Sequence, residues 1–383
     1  MSLVLHNALL NDKAVDIFID NGLISAVEPS ANVPGGPAAG KDIIDCSGLS
    51  VFPGLCNMHS HAPMTLFRGL GDDQPLDLWL KDYIWPAEKK LTDSLVYEGT
   101  LQACREMLSS GTTFFNDMYF RIPAMAQAVL DSGIRAILGP TFFGDAEEAE
   151  SEPSISPEAL WKAKSDGTSL RYSIAPHSIY TVSGKGLRRC ADLCRDLGLP
   201  MHIHMSETQK EVNDCLREHG CRPWEYLDKL GILDTMGENL IAAHCLHLST
   251  EEIRLIGDRH ITCVHCPNSN LKLGSGYRFP MLELLEAGAR VALGTDGSAS
   301  SNNLDMIEVM KTAALLQKGW RGDPTVVPAG QILKIATLGH SVSPGQPASL
   351  FLSSAKNLSD LVYASHGESV AMTLVGGKIL YKK

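Results

Sequence analysis

The chain has 383 residues, 44% of them hydrophobic, and a formal charge of -11. That is enough apolar material for one large core, and the balance is too acidic for a nucleic-acid backbone to be the main partner. No stretch reaches the ~18 apolar residues of a membrane span, and Met1 to Asp20 lacks the basic start and apolar run of a secretory signal, so the reading is a cytoplasmic protein with no membrane partner.

Residues 1–50 carry short alternating runs, LVLHNALL and then AVDIFIDNGLISAVE, with Asn21-Gly22 as a hairpin signal inside the second. From Val51 the pattern becomes brief β-rich runs separated by helical stretches, the signature of parallel strands with crossover helices. Eight such strands are expected: SVFPGLCNM (50–58), TTFFND (112–117), RAILGP (135–140), RYSIAP (171–176), PMHIHM (200–205), NLIAAH (239–244), ITCVHC (261–266) and RVALGT (290–295). Eight is the number of the closed β/α barrel. Between them lie helices such as SLVYEGTLQACREMLSSG, stopped by Gly111, and DMIEVMKTAALLQKG. The acidic run 144–158 reads as an exposed loop or a lid after the third strand. Beyond Gly345 short alternating runs return, so both chain ends are expected to share one sheet. The division is a barrel over 51–340 and a smaller unit from 1–50 with 341–383.

The ten cysteines are scattered, and Cys104, Cys190, Cys194 and Cys215 sit in apolar segments, which suits core residues in a reducing compartment. The single CxxC, Cys263 to Cys266, lacks a second pair and falls on an expected strand, so it is not read as a metal site.

The residues able to do chemistry fall at the ends of different strands, where a barrel gathers its active site. His59 and His61 are two apart on an extended segment and point to one face, so both imidazoles can bind one cation. Alone, an HxH is a weak signal. His202 and His204 repeat the spacing on strand five, where only one need be a ligand, and Glu207 follows. His244 closes strand six and Asp296 follows strand eight, where a carboxylate completes a site of histidines. Each has a bland alternative, a hydrogen-bonded core histidine or a turn-forming Asp before Gly297. Their convergence does not.

The stretches VFPGLCNMHSHAPMTLFRG, SIAPHSIYTVS, MHIHMSET, AAHCLHL, CPNSNLKLGSG and LGTDGSASSNN resemble the amidohydrolase superfamily over essentially the whole chain. Within it they most resemble deaminases of 5'-methylthioadenosine and S-adenosylhomocysteine, a branch similar to guanine deaminases and triazine chlorohydrolases. The resemblance implies an α/β fold, a (β/α)8 TIM-like barrel with a small β-sandwich domain formed from both chain ends. It implies that His59, His61, His204 and Asp296 hold one metal per subunit, with Zn2+ the default and Fe2+ or Mn2+ compatible with the same donors. Two-metal relatives carry a bridging lysine at the end of strand four, and His177 stands there instead. Glu207, His244 and Asp296 become the catalytic residues: Asp296 or His244 orients the attacking water and Glu207 protonates the ring nitrogen.

The segment LDLWLKDYIWPAEKKL resembles the region that packs on the purine and binds the ribose. Trp79 is the expected apolar wall, Glu88 the acceptor for the ribose hydroxyls, and His177 and Ser300 further substrate contacts. Read without the resemblance, Trp79 is a core residue and Glu88 a solvated helix start. Relatives that take S-adenosylhomocysteine are expected to place an arginine after strand three, yet residues 141–170 contain none. Unless Arg121 or a neighbouring subunit supplies a cation, a carboxylate tail would be repelled, which favours adenosines with small neutral 5' groups. The expected partner is thus a small nucleoside, and a homo-oligomer is a family expectation. Two other readings stand beside this one: a deaminase of a free purine or pterin base or a triazine-type chlorohydrolase on the same scaffold, and a catalytically inactive structural barrel.

Overall fold

In a computed structural model, which describes residues 2–30, 42–145 and 170–383, the chain begins with strands β1 (Ser2–Leu10), β2 (Lys13–Asp20) and β3 (Leu23–Pro29). Asn21 and Gly22 both take positive φ, 51° and 81°, as a two-residue hairpin turn between right-twisted strands requires. After β4 (Asp42–Asp45) and β5 (Ser50–Pro53) the chain enters the barrel as β6 (Leu55–Ser60). The run 50–58, expected as one strand, is therefore two. Gly54 is the break: its N–H bonds to Ser349 O at 2.9 Å on the sheet side, the next N–H bonds to Gly111 O at 3.0 Å on the barrel side, and a Cβ at Gly54 would lie 2.2 Å from Thr113 Oγ1.

The barrel continues with β7 (Thr112–Tyr119), β8 (Arg135–Phe142), β9 (Leu170–Tyr172), β10 (Ala175–Pro176), β11 (Met201–Met205), β12 (Leu240–His244), β13 (Thr262–His265) and β14 (Arg290–Leu293). The fourth strand position is shared by β9 and β10, both parallel to β8. Parallel pairing runs from β6 to β10 and from β11 to β14, and the bridges Ile174 to Met201 and Ser178 to His204 join the two ladders. On the other side the ring closes where Asp296 N–H bonds to His59 O at 2.9 Å and the Asn57 side chain bridges Thr295 N–H and Oγ1 at 3.0 and 2.7 Å. Gly294 faces this seam so closely that a Cβ would sit 2.9 Å from the backbone of His59. Met58, Ile241, Val264 and Ala292 pack together from different strands of the barrel.

Polar N-caps start the outer helices, Thr92 before Asp93–Ser109, Ser183 before Gly184–Leu197, Thr208 before Gln209–His219, Ser249 before Thr250–Asp258 and Asp305 before Met306–Arg321. The last strands, β15 (Leu350–Ser353), β16 (Val370–Val375) and β17 (Lys378–Lys382), pair with the first ones in the order β17-β16-β15-β5-β1-β2-β3, with β4 on β1. Both chain ends thus build one sheet over an apolar cluster that includes Leu5, Ile17, Leu350 and Leu374. Of the acidic run expected as a loop or lid, residues 146–158 lie outside the described residues.

Candidate metal centre and substrate cavity

At the C-terminal rim three strand ends turn through left-handed residues, Ser206 (φ 50°), His244 (φ 74°) with Cys245 (φ 48°), and Asp296 (φ 63°). Such backbone costs about 1 kcal/mol or more per residue and concentrates where side chains must be aimed.

His61 Nδ1 lies 2.8 Å from Met118 O, and His204 Nδ1 lies 2.7 Å from His177 O. A carbonyl only accepts, so each ring keeps a proton on Nδ1, which leaves Nε2 as the atom able to offer a lone pair to a metal. Those two Nε2 atoms face each other at 3.4 Å, and Asp296 Oδ1 is 3.2 Å from His61 Nε2 and 3.4 Å from His59 Nε2. Facing acceptors repel unless a cation lies between them. His59 Nε2, fully buried, makes no hydrogen bond of its own. The donor atoms of His59, His61 and His204 lie within 4.8 Å of one another, as do those of His59, His244 and Asp296. The carboxylates also call for positive charge at this spot: against the pull of burial, Asp296 and Asp117 raise His61 to about 9, so a proton takes the Nε2 position that a metal would otherwise occupy, while burial depresses His59 to about 4. Asp296 is held well below the usual carboxylate range, its burial outweighed by His59 and His61. Three imidazoles and one carboxylate converging in this way fit a divalent metal, with carbonyls orienting two of the rings from behind.

The structure separates the second HxH. His204 joins the cluster, whereas His202 sits one layer deeper, its Nε2 3.0 Å from His59 Nδ1 and its Nδ1 3.1 Å from Asn116 Nδ2. His202 therefore backs a ligand position. Ser269 Oγ donates to Asp296 Oδ2 at 2.6 Å and also contacts Ser300 Oγ at 3.0 Å.

One cavity opens over this cluster and collects every substrate residue expected from sequence: Trp79, Glu88, His177, Glu207 and Ser300 all line it, with His61, His204, His244 and Asp296 at its floor. Glu207 is 6% exposed, accepts from Ser275 Oγ at 3.0 Å, and has Oε2 3.9 Å from His244 Nε2. Burial raises its carboxyl, so it keeps a proton to higher pH than an ordinary glutamate. The Asn270 amide holds His244 at Nδ1, 2.9 Å away. Trp79 donates its indole N–H to Leu70 O at 3.0 Å, which anchors the ring as a wall. Glu88, raised by burial, lies beside the buried Tyr119 hydroxyl, and each influences the other's titration. The His177 ring stacks on Phe143 with centroids 4.9 Å apart, and Phe120 extends that face. Arg121 is committed to Asp93 at 2.6 Å, and among the described residues no lysine or arginine lines the cavity.

Sequence reasoning missed Tyr119, Phe120, Phe143 and Asn270. The first two follow a strand expected to stop at Asp117 that continues to Tyr119. Asn270 lay in the CPNSN run already singled out, one position past Ser269.

A model of the amidohydrolase family matches residues 50–380. The chain belongs to the amidohydrolase family. Among similar amidohydrolases, the 5-methylthioadenosine/S-adenosylhomocysteine deaminase of Moorella thermoacetica is 40% identical over 386 residues, 95% of this chain and 89% of that protein. The 5'-deoxyadenosine deaminase of Methanoregula boonei is 44% identical over 359 residues, 88% of this chain and 80% of that one. A solved adenosine deaminase from Xanthomonas campestris with bound zinc superposes with a TM-score of 0.89 at 33% identity, covering 98% of this chain and 92% of that one. As an amidohydrolase with the donor set described above, the protein is a metal-dependent hydrolase.

Proposed function

We propose that the protein hydrolyses the 6-amino group of an adenosine-type nucleoside, releasing ammonia and the inosine analogue. The observation that carries this reading is one cavity lined both by a buried carboxyl beside the metal cluster, Glu207, whose burial favours its protonated form, and by a second, half-buried carboxyl, Glu88. A base needs the first, and only a nucleoside offers hydroxyls to the second. The relatives named for methylthioadenosine and deoxyadenosine support it.

His59, His61, His204 and Asp296 would hold a single metal, with His177 where a bridging lysine would serve a second. Zinc is the ion proposed. Bound there, it would lower the pKa of water toward neutrality. Glu207 gives its proton to the ring nitrogen as water adds to the neighbouring carbon, drawing negative charge off the ring in the transition state. His244, fixed by Asn270, and Asp296, fixed by Ser269, orient the incoming water and take its proton for delivery to the departing amine. Trp79 walls the purine, Glu88 accepts the ribose hydroxyls, and His177 with Phe143 faces the sugar. With no cation in the described lining, the 5' group favoured is small and uncharged, as in 5'-methylthioadenosine, 5'-deoxyadenosine or adenosine, over the charged tail of S-adenosylhomocysteine.

Conversion of adenine to hypoxanthine changes ultraviolet absorbance, so the test is a screen of the metal-loaded protein against adenosine, its 5'-deoxy and 5'-methylthio analogues, S-adenosylhomocysteine, and free purine, pterin and triazine bases. Turnover of the neutral nucleosides is expected. Turnover of bases alone, or none with one equivalent of metal bound, would end the reading.

A further inference from the structure

The helices after β11 and β12 each place a glutamate three residues past the N-cap, at Glu211 and Glu252, where a capping box would turn the carboxylate back onto the N-cap N–H. Glu252 does so, accepting from Ser249 N at 2.9 Å, and its charge is met by Arg222 Nε at 2.8 Å. Glu211 does something else. Its two oxygens reach further back and take separate amides, Ser206 N at 2.7 Å and Glu207 N at 2.9 Å. It is 5% exposed, and among the described residues no ion pair involves it. Burial pushes its carboxyl up to about 8 against the pull of those two N–H groups. Burying an acid without a cation is costly and is not needed to start a helix, since Thr208 already caps this one by accepting from Glu211 N at 3.1 Å.

We propose that Glu211 is a positioning residue for the proposed catalytic acid: its carboxyl group clamps the Ser206 and Glu207 amides and fixes where the Glu207 side chain leaves the backbone. Two details support the clamp. Ser206 sits in left-handed backbone with φ 50°, a conformation that serine keeps only when surrounding bonds hold it. Glu207 is also fixed at its other end, by Ser275 Oγ on Oε1, so backbone and tip are restrained separately and the flexible torsions between them are confined. A carboxyl group suits the task because it presents two oxygens side by side. An amide offers one, and its NH2 would meet the second N–H donor to donor. The inference rests on the assignment of Glu207 as the acid in the proposed function, but the clamp itself is observable without turnover.

The test compares wild type with Glu211→Gln, both loaded with metal. A displaced acid lowers kcat about 10- to 100-fold, while KM stays within about twofold because the Trp79 wall and the Glu88 contact to the ribose are untouched. Amide hydrogen exchange should accelerate at residues 206 and 207, with the β11 amides and the metal content unchanged. Unchanged kcat together with unchanged exchange would overturn the proposal. So would a joint fall of kcat, melting temperature and metal content with exchange rising throughout, since that marks a general structural role. If Glu211→Gln fails to fold, Glu211→Asp decides: it keeps the carboxyl group but is one methylene too short to span both amides, so it should show the same kcat loss at constant KM, and wild-type kcat would sink the idea. If wild type deaminates no nucleoside, the functional reading falls, and the exchange rates at 206 and 207 alone then judge the clamp.

Discussion

Among the described residues from β6 through β10 and their connecting loops, the side chains that reach the cavity are mostly apolar or aromatic, among them Met64, Trp79, Ile84, Trp85, Tyr119 and Phe143, with Glu88 the one carboxylate. From β11 through β14 come His204, Glu207, His244 and Asp296, with Leu273 the one hydrophobic residue. The first half of the barrel offers faces against which a planar ring and a sugar can lie. The second half offers groups that hold and move protons. His59 and His61 cross the division, because the seam sets β6 beside β14. A closed barrel thus separates binding from reaction along the sequence while placing them a few ångströms apart in space, so substitutions in the two halves should leave different kinetic signatures.

The largest effect is expected in the second half. His204→Ala removes a donor from the metal cluster, and because a metal supplies several kcal/mol to the barrier, turnover should fall at least about 1,000-fold with substoichiometric metal by elemental analysis. Full activity with full metal would show that His204 is not a ligand. Next, Glu207→Gln should lower kcat by about 100- to 10,000-fold, the range for a lost general acid, at nearly constant KM and unchanged metal content. In the first half, Glu88→Ala should do the reverse, raising KM for nucleosides about 10- to 100-fold, the loss of hydrogen bonds to a charged acceptor. If it lowers kcat instead, the division between the halves is wrong.

The pH profile contains both halves at once. Burial raises Glu88 and Glu207 above their ordinary value of 4.5. In the proposed function Glu88 would act ionised, so kcat/KM should fall as pH drops through its raised pKa. Glu207 would act protonated, so activity should fall as pH climbs through its own. Glu88→Gln should abolish the acid limb and spare the alkaline one. The smallest effect is reserved for the aromatic face: Phe143→Ala removes the ring stacked on His177 and should raise KM about 3- to 10-fold, as expected for a contact of roughly 1 kcal/mol.

The reactive half was the more legible in sequence. Histidine and aspartate at strand ends are conspicuous, and the eight-strand rhythm told where they would meet. Periodicity could not separate His202 from His204, because residues two apart on a strand share a face and differ only in depth along the barrel axis. Depth decides which ring meets the cation and which one supports His59 from beneath. The binding half was harder, since Tyr119, Phe120 and Phe143 look like any core aromatics until β7 and β8 are known to run past their expected ends and set these rings at the rim. Glu211 was hidden by resembling an ordinary capping residue, because nothing in Thr208-x-x-Glu211 reveals that its carboxylate passes over the N-cap. The break at Gly54 was equally silent, set by the proximity of Thr113, a residue far along the chain.

The seam between β6 and β14 bears on how the protein is made. His59 and His61 leave the ribosome early, but Asp296 and the glycine that lets its strand dock follow more than two hundred residues later. A nascent chain lacking β14 therefore has His59, His61 and His204 but neither the Asp296 carboxylate nor a closed ring to hold them together. The full donor set exists only once strand eight has been made, so a chain cut short before it cannot assemble the centre described above.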